Sequence, residues 1–229
     1  MFHVKHSAVE EEPPAAAALC GEGIDTVREF VRDVAEFGEE LGLLGPRELE
    51  RLWTRHVLNS ALLAPLLAPG TLGDIGSGAG FPGLVVAAIR PDIHCTLIEP
   101  LGRRAQWLSS EADRLGLTNV EVVNERAEDV VGRVVVDQVT ARAVSALSSL
   151  VPMAVALAKP GGELLLLKGQ RVDQEIRDAA QTILRWGLEN PRVYTTGPEY
   201  GTEETRVFRA RVGATGNVSR ETSEGSTRP

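Results

Sequence analysis

Cysteine is scarce: Cys20 and Cys95 are the only two in 229 residues, far apart and outside any metal-ligand spacing. That excludes a disulfide framework and a zinc site and points to a reducing compartment. Cys95 lies in an apolar run and reads as a small buried thiol. Long hydrophobic runs are missing too. Runs such as residues 84–89 and 164–167 fall far short of a bilayer crossing. No apolar stretch of the secretory type stands near Met1, so a cytoplasmic protein without membrane contact is expected. Positive charge is in deficit, with 24 Lys and Arg against 32 Asp and Glu, a net of −8. A uniformly basic nucleic-acid binder is thereby excluded. Residues 1–23 hold −3 of that charge and residues 24–212 about −5, so any RNA contact must use a local basic patch. No internal repeat, catalytic triad or metal-binding cluster is visible.

What is present suits a soluble globular chain: 43% hydrophobic and 24% charged residues, enough for one domain with a small extension. Residues 1–23, containing EEEPPAAAA, read as a flexible arm, and residues 213–229 as a disordered tail. Apolar residues from Ile24 to Leu41 recur at helical spacing over 24–42. Pro46 suits the start of a second helix, whose apolar face runs from Leu49 toward Leu67, so 24–70 is a helical extension. From Thr71 the rhythm changes to strands at about 71–76, 93–99, 120–125, 137–142 and 162–169, with helices at 82–90, 103–115, 150–157 and 172–186 between and after them. Strands 192–196 and 205–212 follow with no helix between them. The alternation predicts an α/β fold over 71–212 with a mostly parallel, seven-stranded sheet whose last strand pair is antiparallel.

The stretch DIGSGAGFPG, residues 74–83, follows the first strand with four glycines and one proline. In a parallel sheet such a loop sits where ligands bind, and glycine lets a ligand approach the main chain. Gly78, Gly80 and Gly83 satisfy a dinucleotide fingerprint, a weak signal alone. Asp74, Gly76, Gly78 and Gly80 form Asp-x-Gly-x-Gly-x-Gly, typical of S-adenosyl-L-methionine sites. Asp74 would repel a pyrophosphate and favour an ammonium or sulfonium, and the closing antiparallel pair favours a methyltransferase. Glu99, ending the second strand, suits a ribose hydroxyl under either reading. A glycine-rich turn with no ligand needs fewer glycines.

That loop, with Gly102-Arg103-Arg104, Arg126-Ala127-Glu128, Ala141-Arg142-Ala143, Lys168-Gly169-Gln170 and Arg55-His56 in the helical extension, resembles the bacterial small-subunit ribosomal RNA methyltransferase G family, also called glucose-inhibited division protein B. The likeness spans about residues 24–212, with Asn59 standing where the family more often has Asp. The resemblance implies a Rossmann-like class I S-adenosylmethionine-dependent methyltransferase with an N-terminal helical extension, methylating N7 of guanine 527 in 16S ribosomal RNA. It further implies that Gly76 and Phe81 line the methionine part of the donor, that Ala127 and Glu128 meet the adenine, and that Arg142 faces the cleft.

Guanine N7 carries a free lone pair, so no general base is expected and rate should come from positioning, with Arg142 and Lys168 as positioning residues and the base drawn out of its stack. RNA needs cations on the strand-end face. The candidates are Arg55, His56, Arg103, Arg104, Arg126, Lys168 and Arg206. A monomer acting on RNA within the 30S subunit or an assembly intermediate is expected. A methyltransferase for a small molecule or protein, a dinucleotide-dependent oxidoreductase and a non-catalytic ribosome-associated binder are the alternatives. Finally, MFHVKH (1–6) and NVSRET (217–222) can both be back-translated, in different frames, through TGTTTCACGTGAAACA. That palindrome resembles a bacterial chromosome-partitioning site, so these segments would record a DNA signal rather than a protein role.

Overall fold

The computed structural model describes residues 9–45 and 47–214. Pro46 and the end segments 1–6 and 217–222 lie outside the described residues. Seven strands form one sheet: β1 (Gly70–Ile75), β2 (Ile93–Ile98), β3 (Val120–Val123), β4 (Val136–Arg142), β5 (Ala158–Lys168), β6 (Leu188–Thr196) and β7 (Thr205–Val212). Their order is β3-β2-β1-β4-β5-β7-β6. The first five are parallel, and β7 lies antiparallel between β5 and β6. The expected antiparallel last pair is therefore present. Central β5 buries Leu164, Leu165, Leu166 and Leu167 on both faces, the run expected of a strand covered by helices on each side.

The helices α1 (Ala15–Cys20), α2 (Ile24–Phe37), α3 (Leu58–Ala61), α4 (Gly83–Ile89) and α5 (Gly102–Arg114) cover one face. The other face carries α6 (Leu147–Leu157), α7 (Val172–Asp178) and α8 (Ala180–Arg185). Strand order reverses between β1 and β4, so the connections leaving these two strands diverge and open a crevice at their C-terminal ends.

Several expectations need correction. Residues 9–23 are not a free arm. Ala16 and Cys20 are buried, the Glu10 carboxylate accepts the Thr54 main-chain N–H at 2.9 Å, and Arg28 donates twice to Glu12 at 2.8 Å. Alanines and glutamates resemble a solvated tail in composition, but apolar contact at Ala16 and Cys20 and an ion pair hold them down. The helix expected over 24–42 ends at Phe37. The second one is wound irregularly: a 3-10 turn at Leu49–Arg51, a π turn at Leu52–Val57, then α3. The single helix expected over 172–186 is two, separated at Ala179. At the far end, Gly213 still donates to the Gly187 carbonyl at 3.0 Å, while 215–229 lie outside the described residues. Among the described residues no helix is long and apolar enough to cross a membrane.

Candidate active site

The chain leaves β1 through Gly76 and Gly78, both with positive φ (68° and 57°), where L side chains are strained. A Cβ at Gly78 would meet only the Gly76 carbonyl, at 3.8 Å, so this face is open to a ligand. The rest of the loop is tied down. Gly76 N–H donates to the Ile98 carbonyl at 2.8 Å, Ser77 Oγ to the Asp74 carbonyl at 3.0 Å, and the Trp107 indole N–H to the Ala79 carbonyl at 3.1 Å. Leu84 and the Phe30 ring pack directly against Gly80.

Two carboxylates serve this loop. Asp74 is 1% exposed. Its Oδ2 accepts the Gly83 N–H at 3.1 Å, while Oδ1 is buried with no partner among the described residues. Burial pushes its carboxyl up to about 6, against the pull of Ser77 and the Gly83 amide. Asp74 is thus beneath the loop rather than on its surface. Glu99 is also buried; Oε2 accepts Gly78 N–H at 3.0 Å and Oε1 accepts Leu101 N–H at 2.9 Å. Each oxygen keeps a second lone pair. Asn124 at the end of β3 donates to the Glu99 carbonyl at 2.8 Å, which brings the 3-10 turn Ala127–Val130 onto the same rim. There Ala127 is buried and Glu128 exposed.

Across the crevice, Arg142 ends β4. Its guanidinium carbon lies 5.3 Å from the Phe81 ring centroid and its Nε 3.5 Å from the Phe81 carbonyl oxygen. Burial draws its pKa down to about 10. The Phe81 ring is itself buried, with Phe30 at 5.1 Å and His56 at 5.2 Å between centroids. It is a platform under the loop, joining the helical extension to the sheet. His56 is 5% exposed and its Nε2 lies 2.6 Å from Glu48 Oε2. Burial first, then the Arg142 charge, lowers it to about 4, so it is neutral at pH 7. An RNA-facing role for His56 is corrected: it is a packed histidine on the reverse side of the loop.

A cavity of about 590 Å³ opens beyond β4, β5 and the start of β7, with Arg55, Arg142, Ser145, Lys168, Glu175 and Arg206 in its wall. Arg55 is half exposed. Arg206 pairs with Glu204 and donates to the Gln170 carbonyl at 2.6 Å. Lys168 is not a free cation: its side chain is 8% exposed and Nζ lies 2.7 Å from Glu175 Oε2. Arg103 and Arg126 are exposed elsewhere on the strand-end rim, at the start of α5 and after β3. Arg104 is half-buried and donates to the Gly42 carbonyl at 3.0 Å, which fastens α5 to the extension. The structure therefore gathers Asp74, the glycines, Phe81, Glu99 and Arg142 at the crevice, places Arg55 and Arg206 on the cavity, and leaves Arg103 and Arg126 outside that cavity wall. Sequence reasoning missed Glu175, Glu48 and Val144. Nothing in their local sequence marks them; only the fold brings them to the site.

The family model for rRNA small subunit methyltransferase G matches residues 24–198. The chain belongs to this family. A ribosomal RNA small subunit methyltransferase G of Clavibacter sepedonicus is 52% identical over 208 residues, covering 91% of this chain and 99% of the relative. The protein of that name from Mycolicibacterium smegmatis is 43% identical, covering 91% and 90%. Among solved structures, an O-methyltransferase from Bacillus cereus in complex with SAH superposes with a TM-score of 0.56 at 14% identity, covering 80% of this chain and 90% of that one. A SAM-dependent O-methyltransferase from Thermotoga maritima gives 0.53 at 15%, covering 68% and 65%. At such identities the likeness is one of fold: a class I methyltransferase fold. Family and fold make the chain an S-adenosyl-L-methionine-dependent methyltransferase, and its residues fit that donor. The Gly78 face is open, Asp74 at the end of β1 keeps an orphaned buried carboxylate oxygen, and both acids disfavour a pyrophosphate. Among the described residues no group of three or more His, Cys, Asp and Glu is placed to hold a metal.

Proposed function

We propose that this protein transfers a methyl group from S-adenosyl-L-methionine to N7 of guanine 527 in 16S ribosomal RNA, as a cytoplasmic monomer acting on RNA within the 30S subunit or an assembly intermediate. The observation that carries the reading is the junction at Arg142. This residue touches the Phe81 platform of the glycine loop and also lines the neighbouring cavity, so donor and acceptor sites share one wall.

The donor supplies a methyl group on a sulfonium, already electrophilic. Asp74, Gly76, Gly78, Gly80, Phe81, Glu99, Ala127, Glu128 and Arg142 make its cradle, Asp74 and Phe81 from beneath. N7 attacks with its own lone pair, so the residues need not remove a proton; they hold one base in line. A cavity of this size accepts a nucleotide drawn out of its stack. Arg142 fixes the base side, and Arg55, Arg103, Arg126 and Arg206 meet phosphates. Against a net charge of −8 those few cations cannot capture RNA from a distance, which favours a substrate presented by a particle.

The test is transfer of labelled methyl to naked 16S RNA and to 30S particles, with the modified base located by borohydride–aniline cleavage. Cleavage at guanine 527 is expected, with none when 7-deazaguanine replaces it. Label on a protein or a small molecule, or at another base, overturns the reading.

A further inference from the structure

The wall between donor loop and cavity is the segment 142–147, and its conformation is unfavourable in isolation. Ala143 has a φ of 55°, a left-handed geometry that costs a residue with a Cβ. A Val144 methyl presses on Gly76, 3.0 Å from where a Cβ would stand. Helix α6 then starts at Leu147 without a side-chain cap of its own.

Two contacts hold this segment, and a third joins the two side chains that make them. Glu175 on α7 accepts the Leu147 N–H at 3.2 Å through Oε2. The same oxygen pairs with Lys168 Nζ at 2.7 Å. Lys168 Nζ in turn donates to the Ser145 carbonyl at 2.9 Å. Glu175 thus supplies the negative charge that favours a helix N-terminus, neutralises a buried cation, and closes a ring around residues 145–147.

We infer that Glu175 is a positioning residue for methyl transfer: with Lys168 it clamps the 142–147 segment, so that Val144 and Arg142 shape the donor side and the cavity side together. The inference rests on the proposed methyltransferase reading and gives Lys168 an internal task instead of a phosphate contact.

The test uses the full chain without RNA. Binding of S-adenosylhomocysteine is measured by calorimetry and exchange of the Leu147 amide by hydrogen–deuterium mass spectrometry. Glu175→Ala is expected to weaken binding about tenfold and to speed Leu147 exchange by a similar factor. Glu175→Gln, which keeps an oxygen acceptor for the Leu147 N–H but leaves Lys168 unneutralised, should fall between the parent and Glu175→Ala in both readouts. The double variant Lys168→Met with Glu175→Ala should be no worse than the poorer single one, since the two act as a unit. If Glu175→Ala does not fold, Lys168→Met carries the test, with a loss of about threefold or more expected. Parent-like binding and exchange in both single variants overturn the inference. Because neither measurement contains RNA, a different methylated base would leave both results unchanged.

Discussion

Two aspartates on neighbouring strands face opposite ends of the same sheet. Asp137, near the start of β4, is well supplied with donors. It accepts the Thr71 N–H at 3.0 Å, the Thr71 hydroxyl at 2.6 Å and Lys159 Nζ at 2.7 Å. Those donors, the lysine foremost, hold its carboxyl down at about 2. Asp74, near the end of β1, is buried, half satisfied and pushed up to about 6. One carboxylate is stabilised by its surroundings; the other is kept uncomfortable by them. The first closes the bottom of the sheet. The second stands under the glycine loop, where the proposed function puts a positively charged donor, and an unsatisfied charge there is what a cationic ligand can relieve.

The unfavourable end must be held together by something else, and Phe81 is that support. Phe81→Ala is expected to cost about 3–5 kcal/mol, the largest effect at either end, read as a fall in thermal midpoint. A loss under about 1 kcal/mol would mean that the platform does not brace the loop. Asp74→Asn comes next and has two signs. Between about pH 4 and pH 6 the native state keeps a proton that the unfolded chain has released, so the ionised acid destabilises the fold fully above about pH 6. Its neutral isostere should therefore raise stability at pH 8 by about 1–2 kcal/mol, the gain vanishing by pH 4. The same variant should weaken donor binding about tenfold. Denaturant titration and calorimetry check the two halves; stability and affinity falling together would erase the contrast between the two acids.

Asp137→Asn should do the reverse in stability and nothing to the donor. Its contribution is complete above about pH 4 and is lost as pH falls toward 2. Because acid and lysine are both partly solvated, the expected cost at pH 7 is only about 1 kcal/mol, checked by the same titration. The smallest effect belongs to Lys159→Met, about 0.5 kcal/mol, with the Asp137 carboxyl resonance titrating at higher pH in NMR.

Much of this was legible in the residues. The change from helical spacing to short apolar runs at Thr71 located the sheet, and the four glycines after Asp74 marked the loop that turns at the C-terminal end of β1, because backbone freedom and alternation are written locally. Partnerships were not. Lys168 looked like a cleft cation because its local sequence shows a strand end; that Glu175 returns to neutralise it depends on where α7 packs. His56 and Arg104 looked like surface basic groups for the same reason, and Glu48 and the Gly42 carbonyl that receive them lie on segments the fold brings alongside. The acidic, alanine-rich stretch before Ile24 was misjudged because composition reports solubility and not the presence of a groove to dock in.

The order of the last strands has a consequence for synthesis. β7 is made last yet fits between β5 and β6. While the ribosome is still translating past Thr196, β5 exposes a bare edge of leucines and β6 has no neighbour to pair with. A nascent chain halted before Thr205 would carry that edge into the crowded cell, where it recruits other chains. Only after Val212 clears the exit tunnel can the sheet reach its native strand order.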